Sequence, residues 1–179
     1  FADGATDPQV KTKLEEMKQG KLMPDEFIFK VTFEAIEKKI GGGSGIALDG
    51  IVRTMKQAEG FYEFFKSRGF IDRLIVLLID ISEQDAFDRL TKRRMCSICG
   101  YPVPWLPQTK GISTCPKCGG KLGIRIDDTE DAMRMRLQKQ GPAAIQPLFD
   151  FFKDKNLGKT IDGIGSIEEV AQRIASAIQ

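Results

Sequence analysis

Histidine is absent from all 179 residues. No imidazole is available to ligate a metal or to act as a general base. Charge of one sign is also lacking: 27 Lys and Arg face 25 Asp and Glu, a formal +2. That balance argues against a polybasic surface for nucleic acid. No apolar run approaches the roughly 18 residues of a membrane span, and no signal-peptide pattern is present. Cysteine is confined to four positions, and low complexity to Gly41-Gly42-Gly43-Ser44-Gly45. These absences predict a cytoplasmic protein with neither membrane nor nucleic acid as partner. What is present suits one domain with a small insert, since 41% of the residues are apolar.

The four cysteines form two pairs, Cys96-Ser97-Ile98-Cys99 and Cys115-Pro116-Lys117-Cys118. Two thiolate pairs at this spacing suit a tetrahedral metal site with no open position, which makes the metal structural. Zinc is the expected ion; iron would use the same ligands, and two disulfides or free thiols are the other reading. A segment of about thirty residues has little core of its own, so a metal would supply folding energy. Tyr101 and Trp105 are expected to pack beneath the site, and Arg94, Lys110, Lys117 and Lys121 could offset its negative charge.

Asp7-Pro8 opens a helix that Gly20 closes, and Pro24-Asp25-Glu26 opens another that ends at Lys38-Lys39. Ile46-Ala47-Leu48 reads as a short buried strand ending at Asp49-Gly50. Thr54 with Gln57 is a capping-box pattern whose helix Gly69 ends. Residues 74–81 are apolar without alternation, as in a strand covered on both faces of a parallel sheet. Ser82 caps a helix to about Arg94. Asp127 or Asp128 caps one to about Gln140, and a further helical stretch around Pro142 and Pro147 reaches about Lys155. Lys159 to Asp162 is a last strand, and Ser166-Ile167-Glu168-Glu169 opens the final helix. Strands alternating with helices predict an α/β fold with a parallel sheet, interrupted by the cysteine insert.

Several short pieces follow one another in a telling order. They are Gly20-Lys21-Leu22-Met23-Pro24-Asp25-Glu26, Leu48-Asp49-Gly50-Ile51-Val52-Arg53-Thr54 with Gln57, and Asp88-Arg89-Leu90 with Arg93-Arg94. Arg125-Ile126-Asp127-Asp128 with Arg136, and then Asp162-Gly163, complete the series. Together with the metal spacing they resemble the adenylate kinase family, in its zinc-lid form, over nearly the whole chain. The resemblance implies a P-loop-kinase-like three-layer α/β/α parallel sheet with an inserted zinc-ribbon lid. The sheet is expected to be incomplete at the N-terminus, because the family's opening strand, Gly-rich phosphate loop and helix have no counterpart. Gly41–Gly45 lacks the Gly-Lys-Ser/Thr ending. Gly158-Lys159-Thr160 has Lys153 where a glycine is required, and it leads into a strand. Residues 1–94 and 127–179 would form the core, with about 1–45 the AMP-binding helical part, and 95–126 the lid.

The resemblance implies reversible phosphoryl transfer between ATP and AMP giving ADP, by a monomer carrying structural Zn²⁺ and using Mg²⁺ with ATP. The alternative is a catalytically defective relative that binds nucleotide without a phosphate loop. A nucleic-acid-binding zinc ribbon is a weaker third reading. In the first of these, Lys21, Leu22 and Met23 border the AMP base, while Gly50 and Arg53 belong to the AMP phosphate site. Arg89 and Arg93 face the ATP phosphates, Arg125 and Arg136 close over the reaction, Asp49 orders Mg²⁺ through water, and Gly163 lies near the ATP adenine. Such transfer needs fixed positive charge around the moving phosphoryl group, which guanidinium forks supply. Gln57 either caps its own helix or bonds the AMP adenine. Asp127 and Asp128 either cap a helix or tie the lid to the core. Ile51-Val52 stands where the family has Phe-Pro, which frees the loop carrying Arg53.

Overall fold

The computed structural model describes residues 24–43, 45–124 and 129–179. The expected helix over 7–20 lies outside them. The chain divides into two compact units, Phe1–Arg73 and Leu74–Gln179.

In the first unit, α1 (Asp25–Gly41) and α2 (Met55–Ser67) pack together. Asp25 and Glu26 at the start of α1, and Lys38 and Lys39 at its end, complement the helix dipole, as the sequence predicts. Between the helices sit phenylalanines at helical spacing. Phe33 stacks on Phe64 with centroids 4.0 Å apart and meets Phe61 edge-on at 5.1 Å. Ile36, Ala58, Phe61, Phe64 and Phe65 are buried. The expected strand over Ile46-Ala47-Leu48 does not form: these residues carry no ladder, and Leu48 is 42% exposed. A short apolar run becomes a strand only by pairing, and no partner strand lies beside it among the described residues.

In the second unit, β1 (Val76–Asp80) pairs in parallel with β5 (Gly158–Asp162), in register from Val76↔Gly158 to Asp80↔Asp162. The fold is thus mixed α/β with a parallel sheet, as expected. β1 is half-buried rather than covered on both faces, and Ile79 is 40% exposed. The long crossover from β1 to β5 holds the other elements of the unit except its last helix. First comes α3 (Glu83–Thr91), which Ser82 caps by accepting from the Asp85 N–H at 3.0 Å. It ends short of the predicted stop at Arg94. Arg94 is drawn instead into a three-stranded antiparallel sheet of β2 (Arg94–Cys96), β3 (Pro102–Val103) and β4 (Leu122–Ile124), in the order β3-β2-β4. α4 (Glu130–Gln140) is capped by Thr129, whose hydroxyl accepts from the Ala132 N–H, and not by Asp127 or Asp128. Those two residues lie outside the described ones. α5 (Pro142–Lys153) starts on Pro142, where a missing N–H costs nothing, and lays Leu148, Phe149 and Phe152 inward against the parallel pair.

The last helix, α6 (Ile167–Ala177), opens on the predicted capping box. Ser166 and Glu169 exchange bonds at 3.1 and 2.7 Å, and the Ser166 backbone N–H, followed by its hydroxyl, holds the Glu169 carboxyl below its usual range. No helix among the described residues is long and apolar enough to cross a membrane.

Candidate functional site

Each Cys-x-x-Cys segment bends back on itself in the same way. The Gly100 N–H reaches the Cys96 carbonyl at 3.1 Å, and the Gly119 N–H reaches the Cys115 carbonyl at 2.8 Å. Both glycines have positive φ, 67° and 73°, which side-chain-bearing residues avoid. The two hairpins bring all four sulfurs within 4.8 Å of one another. The separations are 3.4 Å for Cys96–Cys118, 3.7 Å for Cys99–Cys115 and 3.4 Å for Cys99–Cys118. A disulfide would need about 2.05 Å. Sulfurs about 2.3 Å from a shared tetrahedral ion stand about 3.8 Å apart. The cluster therefore fits a metal ion and not two disulfides.

Gly120 makes the close packing possible. A Cβ there would sit 2.9 Å from Cys96 Sγ and 2.9 Å from Ile98 Cδ1. Backbone N–H groups of Cys99 and Ile98 point at Cys96 Sγ and hold its thiol down to about 6. Cys118 feels an opposite balance: the Gly120 N–H pulls it down, but the Cys99 and Cys96 sulfurs and burial push it up to about 12. Without metal, Cys96 and Cys118 hold their protons unequally. A bound cation would displace the protons that remain.

Beside the cluster, Val103 and Leu106 supply the buried apolar contacts, at 1% and 9% exposure. Tyr101 is 41% exposed, so the expectation that it packs beneath the metal is corrected. Trp105 is half-buried among cations: the Arg94 guanidinium and the Lys92 and Lys110 ammonium groups lie 5.5 to 5.8 Å from its ring centre. Arg94 also donates to the carbonyls of Ile112 and Thr109, and so pins the loop that carries Trp105. Thiolate chemistry sets the centre of this module, and one guanidinium fixes its largest loop.

The other predicted residues fall into separate groups. In the first unit, Arg53, Gly50 and Gln57 come together. The Arg53 side chain donates from Nε to the Gly50 carbonyl at 2.8 Å. Gln57 is buried, at 7% exposure. It donates its own N–H to the Thr54 hydroxyl at 3.1 Å, and its side-chain oxygen accepts from the Arg53 N–H at 2.7 Å. The cap is therefore real, but the return bond lands on Arg53 and not on Thr54. The amide nitrogen of Gln57 donates to the Asp25 carboxylate at 2.8 Å. Asp49 is exposed on the approach to this cluster and does not end a strand.

In the second unit, Arg89 and Gly163 meet: Arg89 Nη2 donates to the Gly163 carbonyl at 2.9 Å. Gly163 also donates its N–H to the Asp80 carbonyl at 2.8 Å. Arg93 lies between α3 and β2, outside the helix that carries Arg89, whereas the expected helix to about Arg94 would have included it. Arg136 is exposed on α4. Lys21, Leu22, Met23 and Arg125 lie outside the described residues.

Sequence reasoning missed Gly100, Gly119 and Gly120, although a glycine after each Cys-x-x-Cys was a visible sign. It also missed Asp25 as the partner of Gln57. Those two are 32 residues apart, and no local pattern joins them.

No family model matches the chain. Individual proteins do. It is 35% identical over 168 residues to an adenylate kinase of Clostridium tetani, covering 90% of this chain and 74% of that protein. It is 40% identical over 156 residues to an adenylate kinase of Bacillus licheniformis, covering 85% and 69%. Against an adenylate kinase of Desulforudis audaxviator the identity is 35% over 178 residues, covering 98% and 80%. Likeness of this extent, along a mixed α/β chain with a parallel sheet and a clustered set of four cysteines, shows that the chain belongs to the adenylate kinase family.

Proposed function

We propose that the protein acts as a nucleoside monophosphate kinase, moving a phosphoryl group reversibly between ATP and AMP to give ADP. The observation that carries this reading is the match along 90% of the chain to a protein named adenylate kinase. In this reading residues 1–94 and 127–179 form the core, with about 1–45 its AMP-binding helical part, and 95–126 form a lid.

Zn²⁺ held by Cys96, Cys99, Cys115 and Cys118 is structural, because four thiolates leave no position for substrate. Its role is to hold the lid in shape. Arg53 takes the AMP phosphate, and its Nη groups remain available beyond the Nε bond to Gly50. Lys21, Leu22, Met23 and Gln57 address the AMP base. Arg89 and Gly163 address ATP, which is consistent with their mutual hydrogen bond. Arg93, Arg125 and Arg136 bring positive charge to the transferring group, and Asp49 orders Mg²⁺ that arrives with ATP. None of these steps needs a histidine or a covalent intermediate. The partners are ATP, AMP and ADP rather than nucleic acid or a membrane. The protein works as a cytoplasmic monomer, since reduced, metal-bound thiolates suit a reducing compartment.

The test is ADP formation from ATP and AMP with Mg²⁺, with Arg53→Ala alongside. The expected result is turnover that the substitution lowers by about a hundredfold or more, as loss of a charge-assisted phosphate contact does. AMP binding without ADP formation would instead identify a nucleotide-binding relative without turnover.

A further inference from the structure

The side-chain amide of Gln57 can be oriented in two ways, and its neighbours allow only one. The Arg53 N–H is a donor and nothing else, while the Asp25 carboxylate is an acceptor and nothing else. At 2.7 and 2.8 Å they place the amide oxygen toward Arg53 and the amide nitrogen toward Asp25. Turning the amide over would set NH₂ against N–H and carbonyl against carboxylate. With Gln57 at 7% exposure, water does not replace the lost partners. Arg53 is itself tethered through Gly50, and Asp25 sits in the first turn of α1, so both restraints rest on ordered backbone.

We infer that Asp25 is a specificity-determining residue for the monophosphate base. This rests on the reading that Gln57 addresses that base. After its two internal bonds the amide keeps one N–H and one lone pair. Their order in space is fixed by Asp25 and Arg53. The purine edge of adenine offers an acceptor at N1 beside a donor at the 6-amino group. Hypoxanthine has the same shape with the polarity reversed: a donor at N1 and an acceptor at O6. A freely turning amide accepts either edge. An amide fixed by a carboxylate accepts one, and the other base leaves buried polar groups unpaired. Such mismatches, more than differences of shape, give recognition sites large rejection ratios. Asp25 touches no substrate in this scheme; it acts through Gln57.

The experiment measures dissociation constants for AMP and for inosine monophosphate by calorimetry on the full chain, in the unsubstituted protein, Asp25→Asn and Asp25→Ala. The asparagine side chain can donate or accept, so Asp25→Asn removes one of the two restraints while keeping the shape; Asp25→Ala removes the partner outright. The unsubstituted protein is expected to prefer AMP, and the preference should fall by about tenfold in both variants, chiefly through tighter inosine monophosphate binding. A purely structural role would weaken both ligands alike and leave their ratio unchanged. An unchanged ratio in both variants, with AMP still bound, overturns the inference and leaves the AMP reading standing. An unsubstituted chain that binds neither nucleotide overturns both.

Discussion

The α1–α2 pair and the cysteine module stay folded by different means. The helix pair buries five apolar side chains, with phenylalanine rings stacked and edge-on between two long elements. The cysteine module has three strands of two or three residues each. Its inward side chains are chiefly Val103, Leu106 and the two buried cysteines. Hydrophobic burial scales with area, and this module has little area to bury. In the proposed metal-bound form, metal–thiolate bonds would concentrate the missing cohesion at one point. On that proposal the helix pair depends on many small contributions and the cysteine module on one large one. Damage should be graded in the first and all-or-none in the second.

Removing the metal is the strongest way to break this contrast. Chelation under reducing conditions withdraws an apparent binding energy of about 10–16 kcal/mol for such sites. Residues 95–124 should become sensitive to protease, while helical circular dichroism from α1 and α2 persists. Loss of both together would show that the two regions share one source of stability. Next in size is Phe61→Ala. Phe61 is 2% exposed and lies against Phe33. The truncation should cost about 3–5 kcal/mol in urea unfolding of the helices and leave metal content unchanged. Thr54→Ala is the smallest change. It removes the hydroxyl that accepts from the Gln57 N–H, and about 1 kcal/mol of helix stability should go with it. Loss of metal from the cysteine module in either variant would contradict the division.

What could be read in the sequence follows from how local each cause is. Four cysteines at fixed spacing name their own chemistry. Ser82, Thr54 and Ser166 cap helices through residues three positions away, so their motifs are complete within one turn. Ile46-Ala47-Leu48 misled because apolar character says nothing about whether a neighbouring strand exists. The end of α3 was placed too late because Arg94 is claimed by partners at Val103 and Ile124, well along the chain. Thr129 took the cap expected at Asp127 or Asp128 because three adjacent residues are all competent caps. The Asp25–Gln57 bond depends on two helices meeting, and that meeting is decided by the phenylalanines between them.

The loop tied down by Arg94 leaves the protein with an inherent optical probe. Trp105 is the one tryptophan in the chain, and three positive groups surround its ring. One of them, Lys92, is at the same time bound to Asp88 of α3 at 2.7 Å, so the indole senses both the helix and the thiolate module. An excited indole responds to the electric field across it. Any rearrangement of that module relative to α3 shifts a charge beside the ring and alters its emission, so the motion can be followed in the native protein without attaching a dye.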